Sequence, residues 1–98
     1  MNQQIREVDP AELRLPPSRA AGADLWKLHR RIRRFGSSKA GVPPIVVIED
    51  PGGLLEIYDG VTRATRIAKL APGVMVKVVV IDRHRNSRGG TTRLGDTL

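Results

Sequence analysis

Four stretches of the chain carry a readable hydrophobic pattern, and between them they predict most of the fold. Ile5-Arg6-Glu7-Val8 alternates apolar and charged residues, as a short edge strand does. Leu25, Leu28, Ile32 and Phe35 recur at spacings of three, four and three, which makes one apolar stripe of a helix. Asp24 precedes that stripe as an N-cap and Gly36 follows it as a terminating glycine. Pro44-Ile45-Val46-Val47-Ile48 is a continuous β-branched run, expected of a strand buried on both faces. After the turn Asp50-Pro51-Gly52-Gly53, residues 54–58 return as the second strand of a hairpin. Residues 60–70 read as a second helix that buries Val61, Ala64, Ile67 and Ala68, and Pro72-Gly73 stops it. Val74–Ile81 is another apolar strand.

The segments between are loops or single turns. Asp9-Pro10-Ala11-Glu12 is a one-turn helix start, with Asp9 as cap and Pro10 at the first position. Leu15-Pro16-Pro17-Ser18 is a loop, because each proline removes a donor and restricts its predecessor. Residues 37–42 form a second, polar loop. Trp26 falls off the stripe of its helix, where it either covers the flank of the core or offers a surface for stacking a base. Beyond Asp82 there is little to bury. The expected fold class is therefore α+β: one small domain over residues 1–82, a mixed sheet with two main helices, and a flexible basic tail over 83–98.

Composition narrows the function. A chain of 98 residues without cysteine has no disulfide, thiolate or cysteine-ligated zinc chemistry. Its two histidines, His29 and His84, show no ligand spacing, so no metal site is expected. No apolar run approaches the length of a membrane span, and Met1-Asn2-Gln3-Gln4 does not begin a signal peptide, so a cytoplasmic protein without a membrane partner is expected. The net charge of +7 is concentrated: residues 24–41 hold six basic residues and one acid, and residues 83–98 hold four arginines and one acid. Such clustering suits a polyanionic partner, although arginines also solubilise a small domain.

The densest chemistry lies at Asp59-Gly60-Val61-Thr62-Arg63-Ala64-Thr65-Arg66. A strand leads through glycine into a helix whose first turn carries a hydroxyl and an arginine. The first N–H groups of a helix lack intrahelical partners and face the positive end of the macrodipole, which favours an anion. Gly60 allows close approach of a ligand, Thr62 donates a hydrogen bond, and Arg63 grips two phosphate oxygens. The same residues fit plain turn chemistry, with Asp59 as cap and Gly60 as a turn glycine. Arg63, Arg66 and Lys69 align on the polar side of this helix.

These features resemble the ParB/sulfiredoxin-like superfamily. The resemblance is carried by Pro16-Pro17-Ser18-Arg19, the helix ending Phe35-Gly36, Pro44-Ile45-Val46-Val47, Gly52-Gly53, Ile57-Tyr58-Asp59-Gly60-Val61-Thr62-Arg63 and the strand 76–81, and it covers about residues 5–82. It implies that Gly60, Thr62 and Arg63 cradle a nucleotide phosphate, with Arg66 at the rim and Arg19 reaching in from the leading loop. ATP or CTP, with or without magnesium, are the ligands implied. Val61 stands where sulfiredoxins carry their catalytic cysteine, which excludes that chemistry. Thr62 replaces a common histidine, and no Glu-Asn-x-x-Arg helix follows the core.

Three functions compete. One is a stand-alone nucleotide- or phosphate-binding module using Gly60, Thr62, Arg63, Arg66 and Arg19. Another is an accessory protein that binds DNA or RNA through its phosphates without reading sequence, using Lys27, Arg30, Arg31, Arg33, Arg34, Lys69, Arg83 and Arg85. The third is a nuclease or phosphotransferase drawing its acid or base from Asp59 or Glu56; no paired-carboxylate metal cluster supports it. The sequence names no catalytic residue and no oligomeric state.

Overall fold

The computed structural model describes residues 4–38, 40–84 and 92–98. Strand β1 spans Gln4–Val8, helix α1 Leu25–Phe35, β2 Ile45–Glu49, β3 Leu55–Asp59, α2 Val61–Leu70 and β4 Val76–Arg83. The four strands form one mixed sheet in the order β1-β4-β2-β3. β4 is antiparallel to β1 and parallel to β2, and β2 is antiparallel to β3. This is the α+β class that the hydrophobic pattern predicts, with two helices and a mixed sheet. Among the described residues no helix is long and apolar enough to cross a membrane.

Alternation along the strands builds the core. Ile45 and Val47 of β2, Leu55 and Ile57 of β3, and Val76, Val78 and Val80 of β4 are buried against Ala64, Ile67 and Ala68 of α2. The intervening Val46 and Ile48 are only half-buried, so β2 is not covered on both faces as its composition suggested. α2 supplies the helical side of this core, and an all-apolar strand does not by itself require two layers over it.

Helix α1 has the expected caps: the Asp24 carboxylate accepts from Lys27 N at 3.1 Å, and Gly36 closes the helix at φ +57°. Its stripe is less buried than its spacing implies. Leu28 is buried and Ile32 half-buried, while Leu25 and Phe35 are exposed. α1 packs mainly on α2, so only the middle of the stripe finds cover. Trp26 is 81% exposed and does not cover the core.

The proline-rich leading loop does more than connect. Arg14 N donates to Leu55 O at 2.8 Å and Ile57 N donates to Arg14 O at 2.9 Å, which lays residues 13–15 along β3 and sends Leu13 and Leu15 into the core. Residues 92–98 then clasp this segment, correcting the expectation of a loose tail from residue 83 onward. Leu94 N donates to Leu13 O, Leu15 N donates to Thr92 O, and the Leu94 side chain is fully buried. Arg93 pairs with Glu12 at 3.1 Å and Asp96 at 3.0 Å, and these carboxylates raise its pKa further. One leucine in a polar context gave little sequence signal, yet it fills a hole that only the folded loop creates. Residues 85–91 of the expected tail lie outside the described residues.

Candidate functional site

The β3–α2 junction is built around Gly60. Its φ of +111° is a conformation that L side chains rarely adopt, and a Cβ there would lie 3.0 Å from both the Arg63 guanidinium and Ile45 Cδ1. Gly60 occupies the N-cap position of α2 and no side chain caps the helix; Asp59 is the last residue of β3. The predicted Asp59 cap is thus replaced by an interaction with Arg63, whose guanidinium stands 3.7 Å from the Asp59 carboxylate. The first intrahelical bond runs from Ala64 N to Gly60 O, so the amides of residues 61–63 precede the helical ladder. The side chain of Arg63 folds over Gly60 and donates to Pro44 O at 3.3 Å. Its Nε is buried with no hydrogen-bond partner among the described residues.

This junction opens into a cleft of about 920 Å³. Residues 16–19, 23 and 24 form one wall, and Lys27, Arg30, Arg31 and Arg34 of α1 form another. Ile48, the end of β3 from Glu56 onward, and the turn through Gly60, Thr62 and Arg63 complete the lining. The cleft therefore brings Gly60, Thr62, Arg63 and Arg19, predicted for phosphate, together with four of the residues predicted for nucleic acid. Helical phase explains the selection on α1. Lys27, Arg31 and Arg34 follow at i, i+4 and i+7 with Arg30 beside them, whereas Arg33 points to the far side.

Six basic side chains line the cleft against three acids, Asp24, Glu56 and Asp59. Asp24 is engaged as the N-cap of α1, and the Lys27 backbone N–H holds its carboxyl below the ordinary range. Glu56 is buried at 7% exposure. Among the described residues, no acidic side chain pairs with Arg19, Lys27, Arg30, Arg31 or Arg34. The arginines elsewhere contrast with them: Arg6 and Arg83 both pair with Glu49, and Arg93 pairs with Glu12 and Asp96.

Arg66 does not belong to this site. The family resemblance implied a place at the rim of the cradle, and helical spacing an exposed ridge with Arg63 and Lys69, but Arg66 is 2% exposed. One guanidinium nitrogen donates to Gly36 O at 2.8 Å and Ser38 O at 2.6 Å. Phe35 lies 5.4 Å from its guanidinium carbon. Burial, aided by the nearby Arg31, lowers its pKa. The loop after α1 offers carbonyls without helical partners, and Arg66 is the donor long enough to reach them. Lys69 is exposed on α2 away from the cleft, and Arg83 sits at the end of β4 against Glu49. Arg85 lies outside the described residues.

Sequence reasoning missed Tyr58, which lines the cleft while 68% exposed. The signal was available: period-two alternation puts Glu56 and Tyr58 on the face opposite Leu55 and Ile57. Among the described residues no group of three His, Cys, Asp or Glu side chains is gathered to hold a metal ion. No family model, curated protein or solved structure matches the chain.

Proposed function

We propose that the chain is a nucleotide- or phosphate-binding module whose site is the cleft between α1 and the start of α2. One observation carries the reading: two basic features far apart in sequence, the Gly60–Arg63 turn and the Lys27–Arg34 face of α1, line the same cleft, and most of their charges have no acidic partner among the described residues. Clustered unpaired cations repel one another, so a site of this kind favours a bound polyanion. The uncapped α2 amides and the buried, unpartnered Nε of Arg63 supply donors for phosphate oxygens. The resemblance of the Gly60–Arg63 turn to ParB/sulfiredoxin-like proteins makes ATP and CTP the first ligands to try.

Isothermal titration of the whole chain with ATP and CTP, with and without magnesium, tests this reading. Arg63→Lys keeps the charge but loses the two-pronged donor and is expected to weaken binding about tenfold. Absence of binding to every nucleotide at low salt would remove the proposal. The alternative of nucleic acid as partner is favoured by the extent of the α1 face, which exceeds what one phosphate group needs.

A further inference from the structure

Resting on the reading of the cleft as a phosphate site, we propose that its occupant is a single-stranded nucleic acid, with its backbone along the Lys27–Arg34 face and a base stacked on Tyr58. The volume is the first argument. At about 920 Å³ the cleft lies near the top of the range of roughly 300–1,000 Å³ that small-molecule pockets occupy, so a mononucleotide leaves much of it open. The second argument is length. From Lys27 to Arg34 the helix rises about 10 Å at 1.5 Å per residue, a span longer than a single phosphate group needs. A row of cations over that distance serves successive phosphates.

Tyr58 separates a single strand from a duplex. It is an aromatic ring within the lining, exposed at 68%, and no aromatic or cationic stacking partner occupies its face among the described residues. Phe35, by contrast, is already flanked by Arg31, Arg34 and Arg66. A base reaches a ring inside a cleft only when it has left its own stack, which costs little in a single strand and much in a duplex. Every base has a π-face, so this arrangement binds without strong sequence preference. Trp26, one helical turn before Arg30 and also exposed, extends the same aromatic and basic surface beyond the cleft.

The test is fluorescence anisotropy of the whole chain with a short oligothymidylate, an oligouridylate of the same length, and a duplex of that length, all at one low salt concentration. The thymidylate and uridylate arms report whether DNA or RNA is preferred. Single strands are expected to bind about tenfold more tightly than the duplex, and Tyr58→Ala to weaken single-strand binding by about tenfold. Tyr58→Phe keeps the ring and should retain affinity. Lys27→Ala with Arg34→Ala should flatten the salt dependence of binding, since fewer phosphates are neutralised. All three positions are exposed, so folding is retained and is checked by thermal melting. Equal or tighter binding of the duplex, or full affinity in Tyr58→Ala, overturns the proposal. If ATP or CTP binds but single strands bind no better than these mononucleotides, this inference fails while the phosphate reading stands; if neither binds, both fail.

Discussion

Arg66, on α2, donates to the carbonyl oxygen of Gly36, the residue that closes α1, at a distance of 2.8 Å. A second bond from the same nitrogen to Ser38 O ties the following loop as well. Helices α1 and α2 pack on one another, and this clamp ties the end of one to the side of the other. Arg66→Leu keeps an apolar side chain near Phe35 and leaves the part-buried Gly36 and Ser38 carbonyls without this donor. It is expected to lower stability by about 2–4 kcal/mol in urea denaturation, since hydrogen bonds to charged groups are the strong ones. Ligand affinity of the folded fraction should change far less than in Arg63→Lys.

Gly60→Ala tests the turn and the site together. The new Cβ would sit at 3.0 Å from the Arg63 guanidinium and from Ile45 Cδ1, in a backbone conformation unfavourable to any side chain. A loss of about 1–3 kcal/mol is expected in denaturation. Because Arg63 is pushed off its place against Pro44 O, nucleotide affinity measured by calorimetry should fall together with stability.

The C-terminal clasp makes a prediction opposite to that for a loose tail. Leu94 is fully buried, and Gly95 approaches so closely that a Cβ there would lie 3.0 Å from Ala11 O. Leu94→Ala should cost about 2–5 kcal/mol, the range for truncating a buried leucine. Thermal melting of this variant, compared with Leu98→Ala at the exposed terminus, checks it.

Glu49 provides a pH signature. Arg6 donates to it at 2.9 Å and Arg83 reaches it at 3.0 Å, bridging β1, β2 and β4. The Arg6 hydrogen bond holds its carboxyl below the ordinary carboxylate range. A lowered folded-state pKa means that this stabilisation is fully present above the ordinary value and is lost as pH falls below it. Glu49→Gln should therefore be less stable than the parent at neutral pH, and the difference should shrink with acidification. Urea midpoints over an acid-to-neutral series measure both limbs.

The hydrophobic pattern alone determined both helices, the four strands, the caps at Asp24 and Gly36, and the glycine turn at 60, because these follow from local periodicity and backbone preference. Turn chemistry and charge clustering, not periodicity, marked the Gly60–Arg63 turn and the basic face of α1, and Arg19 of the leading loop was implied by the family resemblance. Tertiary structure decided which of the basic residues share that cleft. Arg63 and Arg66 stand three positions apart on one helix and look equivalent in sequence, yet one faces the cleft and the other is sealed against the end of α1. Likewise Leu94 joins the core only because residues 13–15 have first paired with β3. Periodicity tells which side of an element is polar. Whether a charge on that side meets solvent, a carbonyl or a ligand depends on what another part of the chain brings to it, and that is a long-range contact with no local signal.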